Sequence, residues 1–391
     1  MSETSPRSAE LRLAFTLSGV IGLRMLGLFL ILPVFMVLAH RVPGFTPQLG
    51  GLAVGIYGLT QAVLQQPFGW LSDRLGRRPV LLLGLGLFAA GGLVAANADS
   101  MTGLILGRAL QGCGAIAGVA MAFAADFTRP ERRPITMAII GIGIGSAFLL
   151  SMVASVPLAN VLGLHGLLAL TAVLGLIGMV LVLTTPRAKA VAASHVSAVI
   201  ESMKPVWLLA LSVFLLHSVM TLLFVVLPGL LVKRHHFALS GHWKLYVPTM
   251  IASVLLMLPI LRWMGMRKKE GAVLPWAFGL LGIALILLSQ GFSLAWMAVL
   301  IVTYFLGFNL LEAAMPALVA RVTGSRGRGR KMGLYSTFQF LGAFAGGVGG
   351  GFMLGKFGGG VALTVAGSIC LVWALVSGRF VKRFFLTGRS D

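Results

Sequence analysis

The chain has 391 residues, of which 58% are hydrophobic and only 10% charged, and it carries a formal net charge of +21. A mean hydropathy of +0.97 lies far above that of soluble globular domains and leaves no room for a separate soluble domain. In a soluble protein such an excess of Lys and Arg would suggest nucleic acid, but here the basic residues sit in short breaks between apolar runs, which excludes that partner.

Residues 1–12 imitate the basic start of a signal peptide. The apolar stretch that follows, 13–39, is too long for such a signal and lacks a small-residue cleavage site, so it reads as an uncleaved first helix. Further runs able to cross a hydrocarbon core of about 30 Å fall at 50–71, 80–97, 101–126, 134–160, 164–185, 205–232, 244–264, 272–290, 293–320, 331–355 and 360–380. The expected fold is an all-α membrane protein with twelve transmembrane helices. With both termini in the cytoplasm, 24 of the 31 Lys and Arg fall on the inner side, five on the outer side, and Arg24 and Arg108 within spans. The positive-inside rule sets this orientation.

After the sixth span comes the polar stretch "TPRAKAVAASHVSAVIESMK". It divides the chain into an N-terminal six-helix bundle (1–185), a cytoplasmic linker (186–204) and a C-terminal six-helix bundle (205–391). "TRPERRPITM" at 128–137 aligns with "TGSRGRGRKM" at 323–332, an offset of 195, as expected of two pseudo-symmetric halves. Cys113 and Cys370 fall inside apolar spans with no metal-ligand spacing, so the sequence points to neither disulfide nor metal. The run "GAFAGGVGGG" at 342–351 has no Lys-Ser/Thr after it. It therefore reads as close helix packing or a flexible gate, with no nucleotide or other cofactor.

The turn after the second span is the most specific motif. "GWLSDRLGRRPVLL" contains Gly69, Asp73, Arg74, Gly76, Arg77 and Arg78, a pattern with glycines where helices approach closely and charges at helix ends. Asp73 is expected to face the positive N-terminus of another helix, the eleventh, and Arg77 to pair with Asp126, forming a conformational latch. Together with "RMLG", "IYGLTQA", "LGRALQGCGA", "FNLLEA" and "YSTFQFLG", this motif resembles the major facilitator superfamily, in particular its proton-driven efflux transporters of bacterial inner membranes. The resemblance implies two six-helix bundles that work by alternating access, with a small-molecule substrate, protons and membrane lipid as partners. It also implies a single chain as the working unit. Two departures stand out. The fifth span reads "GIGIGSAFLLSMVASVPLAN" without the Gly-Pro pair usual in drug/proton antiporters. The chain also stops soon after its last span, without the extra C-terminal domain that some relatives carry.

Sorting the ten acids by depth leaves one inside the membrane. Glu312 lies nine residues before Arg321, about 13 Å deep by helical rise. An acid there costs several kcal/mol unless paired or protonated, which makes it the expected proton carrier. His217 reaches similar depth in the seventh span and Arg24 in the first. These two are expected to share in proton coupling, Arg24 alternatively anchoring an anionic substrate group or pairing with the acid. Tyr57, Gln61 and Gln65 lie four apart on one helix face, and Asn309 and Gln339 complete an expected substrate cavity. Arg108 is expected to tie the fourth span to its neighbours or to take part in coupling. No catalytic nucleophile and base share a fixed spacing, so an enzyme is not expected.

Overall fold

The computed structural model describes residues 6–185, 203–266, 270–322 and 328–381. Among them run thirteen α-helices: α1 (Pro6–Ile31), α2 (Phe35–Ala39), α3 (Pro47–Leu75), α4 (Arg77–Ala96), α5 (Met101–Cys113), α6 (Ala117–Phe127), α7 (Arg133–Leu183), α8 (Lys204–His235), α9 (Trp243–Met266), α10 (Val273–Gln290), α11 (Leu294–Val322), α12 (Arg328–Phe357) and α13 (Gly359–Val381). They make twelve membrane crossings, because four expected spans differ from single helices. The first is α1 continued by α2 after a break at Leu32–Val34. The fourth is interrupted at Gly114–Ile116. The fifth and sixth are one continuous helix except at Gly163, whose φ of 64° and ψ of −169° turn the chain back. That conformation is open to glycine at little steric cost.

The chain divides into two compact units, Met1–Phe45 with Ile56–His195 and Thr46–Gly55 with Val196–Asp391. Apart from its last two residues, the expected linker 186–204 lies outside the described residues. Each unit repeats one packing scheme. In the first, α1 lies along α7, and α4 packs on α5 and α7; in the second, α8 lies along α12, and α10 packs on α11 and α13.

Small residues set these contacts. A Cβ built on Gly342, Gly346 or Gly350 of α12 would meet Phe214 O at 2.1 Å, Ser218 O at 2.0 Å and Leu222 Cα at 3.2 Å on α8. Both series advance by four residues, so two parallel helices share a seam at near-backbone contact. Between α10 and α13, a Cβ built on Gly282 or Gly367 would meet the other's carbonyl oxygen at 2.8 or 2.7 Å. In lipid, where no hydrophobic force separates helix from solvent, such close approach supplies the packing energy. Within "GAFAGGVGGG" the close packing thus has two partners: Gly342, Gly346 and Gly350 meet α8, and Gly347 and Gly351 meet Gly51 near the start of α3.

The outward faces are apolar. Six of the seven tryptophans, Trp70, Trp207, Trp243, Trp263, Trp276 and Trp296, are exposed and lie near helix ends, the level of the membrane interface. The fully buried side chains, by contrast, include Arg24, Arg108, Gln61 and Gln111. An inside-out distribution of this kind belongs to a membrane protein with polar work in its interior.

Candidate functional site

Glu312 of α11 meets a basic neighbour within the second unit. His217 Nε2 of α8 lies 3.3 Å from Glu312 Oε1, and Gln339 Nε2 of α12 lies 2.9 Å from the same imidazole nitrogen. The other ring nitrogen, Nδ1, is 3.2 Å from the carbonyl of Val213. A carbonyl only accepts, so Nδ1 carries the hydrogen. Nε2 is then the acceptor, and the Gln339 amide donates to it. This leaves two acceptors, Nε2 and the carboxylate, facing each other. Glu312 Oε1 is buried and makes no hydrogen bond, although it sits at ion-pair distance. One proton added to either atom would turn the contact into a hydrogen bond. Phe308, one turn earlier on α11, packs its ring 6.0 Å from that of His217 and keeps the imidazole in place.

Asn309 does not join this cluster. Its amide donates to Ser253 Oγ of α9 at 3.0 Å, so it ties α11 to α9. Ser253 was invisible as a partner, one small residue in the apolar α9.

The remaining deep residues gather in the first unit. Arg24 of α1 donates through Nη2 to Gln61 Oε1 of α3, and Gln61 Nε2 donates to Gln65 Oε1 at 3.2 Å. The expected face of Tyr57, Gln61 and Gln65 is therefore buried, with two of its members engaged with each other and with Arg24. The guanidinium carbons of Arg24 and Arg108 lie 5.5 and 5.0 Å from the Tyr57 ring centroid. Arg108 Nη1 donates to Gln111 Oε1 at 2.8 Å, Gln111 Nε2 to Thr171 Oγ1 at 2.7 Å, and Thr171 Oγ1 to the Leu168 carbonyl. This chain ties α5 to α7 and shows which neighbour Arg108 holds. Sequence reading missed Gln111 and Thr171. Gln111 stands three residues after Arg108, the spacing of side chains on one helix face, and was the available signal.

In the turn between α3 and α4, Arg77 is the hub. It reaches Asp126 Oδ2 through Nε at 2.9 Å, and through Nη1 both Asp73 Oδ1 and Ser72 Oγ at 2.6 Å. The pairing of Arg77 with Asp126 is present, and Asp73 is held by the same guanidinium. Arg78 donates to the carbonyls of Leu183 and Thr185 at 2.7 and 3.3 Å, capping the end of α7. Arg74 stacks on Trp70, 3.8 Å from its ring centroid.

The two glycines of the motif differ. Gly76 has φ 90° and ψ 160°, which only glycine adopts without strain. A Cβ on Gly69 would meet nothing within 4 Å, so close helix approach, the expected reason for that glycine, does not apply. Gly76→Ala is expected to cost about 1–3 kcal/mol, while Gly69→Ala should be neutral or stabilising by up to about 1 kcal/mol through helix propensity. Thermal unfolding of the purified variants in detergent checks both; equal effects would contradict the assignment.

Among the described residues, no group of three or more His, Cys, Asp or Glu side chains could hold a metal ion, and the polar clusters just described offer proton and anion chemistry.

Comparison with known proteins agrees with this architecture. Residues 17–310 match the model of the Major Facilitator Superfamily. The chain is 37% identical over 386 residues to the inner membrane transport protein YajR of Escherichia coli (strain K12), covering 96% of this chain and 85% of that one. A shorter match, 46% identical over 69 residues and 18% of each chain, is to multidrug resistance protein D of the same organism. The solved structure of a D-xylose-proton symporter superposes with a TM-score of 0.77 at 16% identity, covering 98% of this chain and 99% of that one. Apolar crossings, polar clusters buried in each helical unit and these relatives lead to one assignment: the chain belongs to the major facilitator superfamily, as a multi-pass membrane transporter and not an enzyme.

Proposed function

We propose that the chain is a proton-coupled antiporter of a bacterial inner membrane, with both termini in the cytoplasm, that exports a small amphipathic compound and works as a monomer. The observation that carries this reading is the contact of two acceptors, His217 Nε2 and Glu312 Oε1, at 3.3 Å. It is a place built for one proton. When the proton arrives from the periplasm, Glu312 is neutralised or the pair becomes a hydrogen-bonded imidazolium and carboxylate. In the second case Gln339 turns its amide by half a rotation, because Nε2 no longer accepts. Either change alters the charge pattern that the substrate meets, which links the proton to the substrate's affinity, and inward opening returns the proton to the cytoplasm. Each charge moved across the membrane yields about 2.3 kcal/mol per 100 mV, enough to bias such a cycle. In this reading the Asp73, Arg77 and Asp126 cluster is the latch that holds one conformation. The similarity to a protein named for multidrug resistance supports the export direction.

An importer or lipid flippase of the same fold is the alternative, favoured by the missing Gly-Pro pair in the fifth span. Everted membrane vesicles distinguish the readings. With a respiration-driven proton gradient followed by a pH-sensitive dye, antiport predicts that some amphipathic compounds of a panel dissipate the gradient, and that Glu312→Gln vesicles do not respond. Compounds that acidify the interior of right-side-out vesicles as they enter would instead mark a proton-coupled importer.

A further inference from the structure

In the first unit Arg24 carries a charge that no described acid of that unit meets. Arg24 and Arg108 are each 1% exposed, and arginine stays protonated even when buried. The acids described in that unit, Glu10, Asp73, Asp99, Asp126 and Glu131, all lie at helix ends or in the connecting turns. Glu10 bonds Arg129 and Arg132, and Asp73 and Asp126 bond Arg77. A buried cation without a buried anion is costly, by several kcal/mol even after relaxation.

The two arginines are not equivalent. Arg108 leads into the chain through Gln111 and Thr171. Arg24 has one bond, from Nη2 to Gln61, whereas its buried Nε and Nη1 have no hydrogen-bond partner; the buried Tyr57 hydroxyl has none either. Gln61 is fixed by its own bond to Gln65, so its carbonyl stays on Arg24 and occupies one edge of the guanidinium. Nε and Nη1 flank Nη2 on its two sides, so whichever Nη2 hydrogen Gln61 takes, the opposite edge keeps a free nitrogen beside the second Nη2 hydrogen, the fork that matches a carboxylate. Around it stand aromatic rings, Tyr57 and Phe88 at 5.5 and 5.8 Å from the guanidinium carbon. They cushion the cation without neutralising it.

From this we infer that Arg24 is the anchor of an anion site in the first unit. It takes the carboxylate, or a sulfonate of similar size, of a small organic anion whose apolar body lies against Tyr57 and Phe88. This deepens the transport reading and rests on it, since it makes the amphipathic substrate an amphipathic anion. Arg24 is a binding residue for the substrate's charged end, and Gln61 positions it.

The test compares matched anions and amides on the purified full-length chain in detergent. Benzoate, hexanoate and benzenesulfonate are titrated against benzamide, hexanamide and benzenesulfonamide at constant ionic strength, and the thermal unfolding midpoint is followed. At least one anion is expected to raise the midpoint saturably while its amide does not. In Arg24→Lys, which keeps the charge but loses the fork, the apparent affinity should fall about tenfold or more. Equal shifts from anion and amide, an undiminished response in Arg24→Lys, or no response to any of the three anions would each overturn the site. Anion binding without gradient dissipation in the vesicles would sink the antiport reading alone; gradient dissipation without anion binding would sink only this inference.

Discussion

Glu312→Gln is expected to abolish gradient-driven transport, by at least about tenfold, while leaving gradient-free exchange of the substrate across the membrane. Glutamine keeps the size and the polar contact but has no proton to take up or release, so the 3.3 Å gap to His217 is closed by a permanent amide donor. The transporter then cycles with substrate but cannot link the cycle to the proton. The measurement is paired: flux under an imposed pH gradient, and counterflow at equal pH, both in proteoliposomes with a compound found in the vesicle screen. Infrared difference spectra add a direct readout, because a protonated carboxyl band present in the unaltered chain should vanish in Glu312→Gln. If both fluxes fall together along with the unfolding temperature, Glu312 serves the packing of α11 and the coupling role is wrong. His217→Ala should leave the carboxyl band in place, because the imidazole is the neighbour of the acid and Glu312 itself holds that proton.

Gly346→Leu should be the most damaging single change to the fold. Its Cβ would stand 2.0 Å from the Ser218 carbonyl oxygen, an atom of the α8 backbone that no rotamer change can move. Relief requires α8 and α12 to separate along their seam, losing the contacts at Gly342 and Gly350 as well. We expect a cost at or above the upper end of the about 1–3 kcal/mol usual for overpacking, seen as loss of monodisperse protein after solubilisation or a large fall in unfolding temperature. Gly349→Leu is the control. It lies in the same glycine run, but a Cβ there meets nothing within 4 Å, so the variant should behave like the unaltered chain. Similar damage from both would mean that the run matters for flexibility and not for the seam.

The two experiments probe different levels of legibility. Glu312 could be found by depth alone, because a charge is rare inside an apolar run and the spacing to Arg321 measures how far in it lies. Its partner could not. His217 is 95 positions away in sequence and shared its depth with Arg24, and only the packing of α8, α11 and α12 selects His217 and brings Gln339 to the same nitrogen. For Asn309 the same packing chose Ser253. The glycine run announced close contact but not which glycines make it: Gly346 meets α8 and Gly349 meets open space, although they are three residues apart.

The sequence by itself determined the membrane class, the number of crossings, their expected orientation and the family motif, because these depend on the length of apolar runs, the placement of Lys and Arg, and a local pattern of charges and glycines around a turn. Tertiary structure decided the breaks at Gly114–Ile116 and Gly163, the pairing of His217 with Glu312, and the distance of Arg24 from the acids described in its own unit. The physical reason is that a transmembrane helix is apolar on nearly every side. It has no polar face to show which way it points, so the direction of each side chain emerges only when backbones lock against each other at small residues.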